Sequence, residues 1–134
     1  MLPLFISDVP LQCINQAAET YHVPAKLIIS VLNVERGKAG MAMHNTNGTY
    51  DLGPMQINTL HWPALYRYGI TPKEVQYNPC INVKVGSWIL ARSIAEGKNL
   101  LEGVGDYHSH TKKLNEFYSA NIYLSYKMIR EFLK

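Results

Sequence analysis

The sequence predicts an α+β fold that is predominantly α, with at least five helices around one short β-hairpin at about residues 44–57. Three observations carry that expectation. Through most of the chain, apolar residues recur at steps of three and four, the pattern of helices that bury one face. Residues 41–57 depart from it and contain Asn47-Gly48, a pair suited to a two-residue type I′ turn because both central positions must accept positive φ. Finally, no Ser/Gly/Pro-rich linker, long charge block or internal repeat divides the 134 residues, so a single domain over 1–134 is expected.

In VPLQCINQAAETYH, Leu11, Ile14, Ala18 and Tyr21 share a helical face, with Cys13 near it, Asp8 as a cap and Pro10 in the first turn. Pro24 opens the next helix, AKLIISVLNVER, whose face of Ile28, Val31 and Leu32 closes on Glu35, and Gly37 and Gly40 end it. Thr46, Thr49 and Tyr50 flank the hairpin turn. Beyond Asn58 the chain reads as helix again, with Leu60, Leu65 and Tyr66. Thr71-Pro72-Lys73-Glu74 is a full capping box with Pro at the first helical position. Asn78-Pro79 then starts CINVKVGSWILARSIAEG, with Cys80, Val83, Ser87, Leu90 and Ile94 in buried period and Gly97 at its end. LLEGVGDYHSHT is broken by Gly and helical where it packs closely. Leu114, Tyr118, Ile122, Tyr126, Ile129 and Leu133 form the stripe of a long terminal helix.

Composition narrows the function. A hydrophobic content of 47% with 17% charged residues supplies a core. The net charge of +3 mildly favours acidic partners, but Lys and Arg are scattered and no nucleic-acid motif accompanies them. No stretch reaches the roughly 18 apolar residues of a membrane span. The start, MLPLFISDVP, lacks the basic region and long apolar run of a signal peptide, so the chain is either cytoplasmic or the mature part of an exported protein. Cys13 and Cys80 lie in no CxxC or His-rich setting, and His108 and His110 have no partner spacing, so neither a metal nor a cofactor is expected. Buried free thiols and a disulfide both remain open at this level.

Glu35 is the residue with chemical promise. Glutamates at helix ends are ordinarily solvated. Here the apolar face favours partial burial, and the helix C-terminus is unfavourable to an anion; both raise the carboxyl pKa toward that of a general acid. Cleavage of a glycosidic bond needs such a donor.

In order, helix-Glu35, NTNGTYDLGPMQIN, NPCINVKVGSWIL and GVGDYHSHT with an aromatic-rich helix resemble the lytic transglycosylases of the lysozyme-like superfamily. The similarity covers about residues 9–126 and is greatest to the small secretion- and conjugation-associated enzymes that open peptidoglycan locally. Gly53-Pro54-Met55-Gln56-Ile57-Asn58 looks like the family's G-x-M-Q-x-N element, Tyr107 stands at its substrate-binding tyrosine, and Asn78-Pro79-Cys80 with Gly86 and Leu90 matches its D/N-P-C element. The resemblance implies a lysozyme-like fold, Glu35 as catalyst, a Cys13–Cys80 bridge, and a periplasmic or secreted protein. Peptidoglycan strands would be its substrate, and a cell-envelope secretion, conjugation or pilus complex its partner. Arg36 and Lys38 replace the Ser that follows the catalytic Glu in many relatives, and His44 replaces a small polar residue.

Asp51 raises the alternative of a lysozyme-type hydrolase, since Asp51-Leu52-Gly53-Pro54-Met55-Gln56-Ile57-Asn58 also resembles the hairpin that carries the second acid of animal lysozymes. The NPC and DYHS elements and the low cysteine count favour the transglycosylase. A non-catalytic glycan-binding or assembly protein is the third reading. Around Glu35, Gln56 is read as a cleft residue, Asn58 as a cap with a supporting role, and Met55 as either core or ligand contact. Tyr107 offers a sugar-binding face and a hydroxyl for the substrate or Glu35. Tyr118 suits the core, with a place in the site as its alternative. Trp88 is expected inside and Trp62 at the cleft edge.

Overall fold

A computed structural model describes residues 8–132. Its helices are α1 (Leu11–Tyr21), α2 (Ala25–Glu35), α3 (Trp62–Tyr66), α4 (Pro72–Tyr77), α5 (Pro79–Glu96), α6 (Leu100–Asp106) and α7 (Lys112–Phe132). Strands β1 (Ala42–His44), β2 (Tyr50–Leu52) and β3 (Ile57–Asn58) form one antiparallel sheet in that order, and a 3-10 turn at Thr59–His61 leads from β3 into α3. The fold is α+β and predominantly α, as the sequence predicts.

Helix α2 runs through the centre. Ile28, Val31 and Leu32 have no exposed surface, and the polar Ser30 and Asn33 are buried with them. Ser30 Oγ donates to Lys26 O at 2.7 Å and Asn33 Nδ2 to Ser125 Oγ at 2.8 Å, so neither is left unsatisfied by burial. α7 packs along α2, α1 along α5, and α6 lies against both α5 and α7. α5 is buried on more than one side, with Asn82, Val83, Val85, Gly86, Ser87, Ile89 and Leu90 all inside.

The local capping signals are realised. Thr71 and Glu74 form both bonds of the capping box, and Asn78 Oδ1 accepts from Cys80 N and Ile81 N at the start of α5. Several expectations need correction. Pro10 takes the N-cap place of α1 ahead of Asp8's expected role, and Leu11 is 56% exposed. α2 ends at Arg36, whose left-handed backbone (φ 55°) closes the helix before Gly37. Gly37 is needed for packing instead, since a Cβ there would collide with the carbonyl oxygen of Gly53. The hairpin turn is not type I′. Gly48 N donates to Asn45 O, Asn45 N to Thr49 O, and of the loop residues only Gly48 has positive φ (85°), the geometry of a three-residue loop closed by a left-handed glycine. Asn47 Oδ1 accepts from Thr49 N and Oγ1, which holds Asn47 in ordinary backbone geometry.

On α7, Leu114 is 49% exposed and the inward stripe is Asn115, Tyr118, Ser119, Ile122, Ser125 and Ile129. Leu133 lies outside the described residues. Among the described residues no helix is long and apolar enough to cross a membrane.

Cys13 and Cys80 are bridged, with Cα atoms 5.3 Å apart, tying the first turn of α1 to that of α5 across 67 residues of sequence. Closing so long a loop should stabilise the fold by about 4 kcal/mol in the chain-entropy model. The double substitution Cys13→Ser/Cys80→Ser is expected to cost about 2–5 kcal/mol in urea unfolding. Two thiols open to alkylation without reductant, in protein folded under oxidising conditions, would rule the bridge out.

Candidate active site

Glu35 is the last residue of α2, where the central helix reaches the surface beside the sheet. It opens on a groove of about 750 Å³ bounded by the hairpin, the β3–α3 connection, α5 and the α6–α7 turn. Asp51, Gln56, Asn58, Tyr107 and His108 also line it, so the DLGPMQIN and DYHS segments meet at Glu35. Glu35 keeps part of its surface open to the groove while its carboxyl is largely desolvated. Burial is the main cause that pushes its pKa up to about 7; the Asp51 charge adds to the rise, and a hydrogen bond from Tyr118 opposes it. At neutral pH the group is therefore poised between acid and base.

Tyr118 Oη donates to Glu35 Oε2 at 2.8 Å from the middle of α7. Burial, and then the nearby Glu35 charge, hold the Tyr118 hydroxyl well above the usual tyrosine range, so it remains a donor. Tyr118 thus belongs to the buried stripe and to the site at once. His108 stacks on its ring at 4.8 Å between centroids, and Tyr107 at 6.4 Å. The Tyr107 hydroxyl goes elsewhere than Glu35: it donates to Met55 O at 2.8 Å.

The loop carrying Gln56 is shaped from inside. Gln56 has φ 53° and its Nε2 donates to Gly53 O at 2.9 Å, which folds the amide back over the loop at the groove wall. Met55 has no exposed surface and its side chain packs on Gly86 of α5, so full burial makes it core and removes it as a ligand contact. Asn58 Nδ2 donates to Asp51 Oδ1 and Thr49 Oγ1, both at 3.0 Å, and its Oδ1 caps Leu60 N. Asp51 pairs with Asn58 across β2 and β3, and this bond fixes the direction of its carboxylate. Both tryptophans pack partly buried against the core, and it is Trp88 that also lines the groove, whereas Trp62 is not among its lining residues.

A profile described as Transglycosylase SLT domain matches residues 12–126. The chain belongs to that family. Among curated SLT-like relatives it is similar to Invasion protein IagB of Salmonella typhi, 32% identical over 124 residues that span 89% of this chain and 78% of that protein. Protein IpgF of Shigella sonnei is 30% identical over 87% of this chain and 80% of its own. A Peptidoglycan-binding-like protein of Escherichia coli O157:H7 is 28% identical over 89% and 78%.

One residue that shapes this SLT-domain groove escaped sequence reasoning. Asn82 is fully buried in α5; its Nδ2 donates to Leu52 O at 2.8 Å and Val75 O at 2.9 Å, and its Oδ1 accepts from Met55 N at 2.8 Å. It clamps both ends of the Gly53-Pro54 turn. Gly53 (φ 67°) must be glycine there, both for its backbone and because a Cβ would strike the Asn82 amide. An Asn among apolar neighbours on a buried helix was the available signal.

The raised Glu35 pKa has a stability consequence. Between the ordinary value of 4.5 and about 7, the folded chain keeps a proton that the unfolded chain releases. Stability from this group therefore falls as pH rises through that window. Glu35→Gln, which cannot ionise, is expected to melt about 3–6 °C above the parent at pH 8 and to lose that advantage at pH 4. An equal difference at both pH values in thermal melts would rule out a strained carboxylate.

Proposed function

We propose that the protein is a peptidoglycan lytic transglycosylase that cleaves the β-1,4 bond between MurNAc and GlcNAc and leaves a 1,6-anhydroMurNAc end. The observation that carries this reading is the desolvated carboxyl of Glu35, poised near pH 7 in an open groove of an SLT-family chain. Protonated Glu35 donates to the glycosidic oxygen as the bond to MurNAc C1 breaks. The oxocarbenium-like centre is stabilised by the substrate's own N-acetyl carbonyl and by the field of Asp51. Glu35, now a carboxylate, takes the proton of the MurNAc 6-hydroxyl, whose oxygen closes on C1. No water enters, so no second carboxylate has to activate one. Tyr118 holds the Glu35 carboxyl in place through both stages.

Domain and location follow the same proposal. One catalytic domain spans the chain, and it acts in the periplasm or outside the cell, where the Cys13–Cys80 bridge is chemically at home. We place its work at a secretion, conjugation or pilus apparatus, a setting suggested by its likeness to a protein named for invasion.

Asp51 in the same groove favours a second reading, a muramidase that uses both acids. Mass analysis of products from purified sacculi separates the two. Anhydro ends are expected; reducing MurNAc ends carrying oxygen from labelled water would assign the hydrolase. Binding of strands without any cleavage would assign the non-catalytic alternative.

A further inference from the structure

The groove is also lined by Trp88, Arg92 and Glu96 of α5 together with His61 of the 3-10 turn. Among the described residues that line the groove, Arg92 is the one Arg or Lys, whereas Glu35, Asp51, Glu96 and Asp106 are acidic. Its guanidinium carbon lies 5.0 Å from the centroid of the Trp88 ring, and Tyr68 meets that ring edge-on at 6.0 Å. Such support limits the freedom of the guanidinium and leaves its N–H edge to meet a ligand. The partner it has now is weak. Arg92 Nη2 lies 3.6 Å from Glu96 Oε1, and the two side chains are 55% and 68% exposed, so the pair can be exchanged for another carboxylate at little cost. His61 adds no charge in competition: burial, and then the Arg92 charge, lower its pKa and keep it neutral at neutral pH.

Neutral sugar units need no cation. A cation held on an aromatic ring in an otherwise acidic groove selects a carboxylate, in the two-pronged geometry that arginine matches. Peptidoglycan presents carboxylates on the peptides attached to its MurNAc residues. We propose that Arg92, on its Trp88 platform, binds a carboxylate of those peptide stems and so makes the groove selective for peptide-bearing strands. This rests on the assignment of peptidoglycan as the substrate.

The test measures binding, so it does not depend on turnover. In a Glu35→Gln background, calorimetry compares a short glycan fragment carrying tripeptide stems with the same fragment after its stem carboxylates have been converted to amides. The carboxylate-bearing fragment is expected to bind about 10-fold more tightly, and adding Arg92→Gln should abolish that difference while the amidated fragment binds as before. Glu96→Gln, which removes the competing carboxylate, should widen the difference. Equal binding of the two fragments, or a preference that persists in Arg92→Gln, would overturn the proposal. The half-exposed position of Arg92 makes the variant a test of recognition and not of folding, which a melting curve checks. Failure of the catalytic assignment shows separately, as absence of anhydro ends from the parent protein.

Discussion

Glu35→Gln should release glycan from sacculi at least about 10³-fold more slowly than the parent, with its thermal melt at neutral pH no lower. The amide keeps the shape of the side chain and can still accept from Tyr118 Oη, but it can neither donate the proton nor recover one. Each lost proton-transfer role is worth about 10²–10⁴-fold. In the parent, kcat/KM should fall as pH rises through about 7, because the protonated form of Glu35 starts the reaction. Asp51→Asn is the informative companion. Removing its charge removes one cause of the raised Glu35 pKa, so less of the acid is protonated at neutral pH. A loss within about 10-fold is expected at pH 7, partly recovered on acidification, whereas Glu35→Gln recovers at no pH. Comparable collapse of both variants at every pH, with melting unchanged, would make Asp51 a second catalytic carboxylate.

The largest effect on stability is expected at Asn82. Replacing it by Ala strands the Leu52 and Val75 carbonyls and the Met55 N–H inside the protein. An unsatisfied buried group costs about 1–3 kcal/mol. Partial relaxation brings the expected total to about 3–5 kcal/mol in urea unfolding. Asn82→Asp keeps the volume and the acceptor but loses both donations and buries a charge, so it should fare no better. The residual folded Asn82→Ala protein should also turn over slowly, because the turn that leads into Gln56 then loses its anchor in α5. A cost below about 1 kcal/mol would mean that water replaces the amide and that the clamp is dispensable.

What the sequence made legible was local or apolar. The Thr71–Glu74 box and the Asn78 cap are complete within a few residues, and the α2 stripe leads directly to Glu35. What it hid was polar and distant. Tyr118 donates to Glu35 across 83 positions, and nothing in either neighbourhood announces the pair. Hydropathy placed Leu114 inside α7, but Asn115 is the residue that faces inward. Its Nδ2 donates to Glu102 O, Asp106 Oδ1 and Ser109 O, and that network rotates the first turn of the helix away from the apolar pattern. Asn82 defeats periodicity in the same way. The third strand, two residues long, is too short to show alternation. Motif resemblance pointed to the Cys13–Cys80 bridge, which spacing alone left undecided.

The Asn82 clamp also ties the groove wall to the docking of α5. Leu52, Met55 and Val75 are held by a residue synthesised after all of them, on a helix whose first turn is bridged to α1. Until α5 has docked, the Gly53-Pro54 turn lacks the Asn82 bonds that fix its two ends. A half-folded chain therefore carries Glu35 without the complete groove around it. Tyr118 arrives later still in synthesis, from α7. Under the proposed reaction, reduction of the Cys13–Cys80 bridge should therefore lower glycan release before the helices themselves melt.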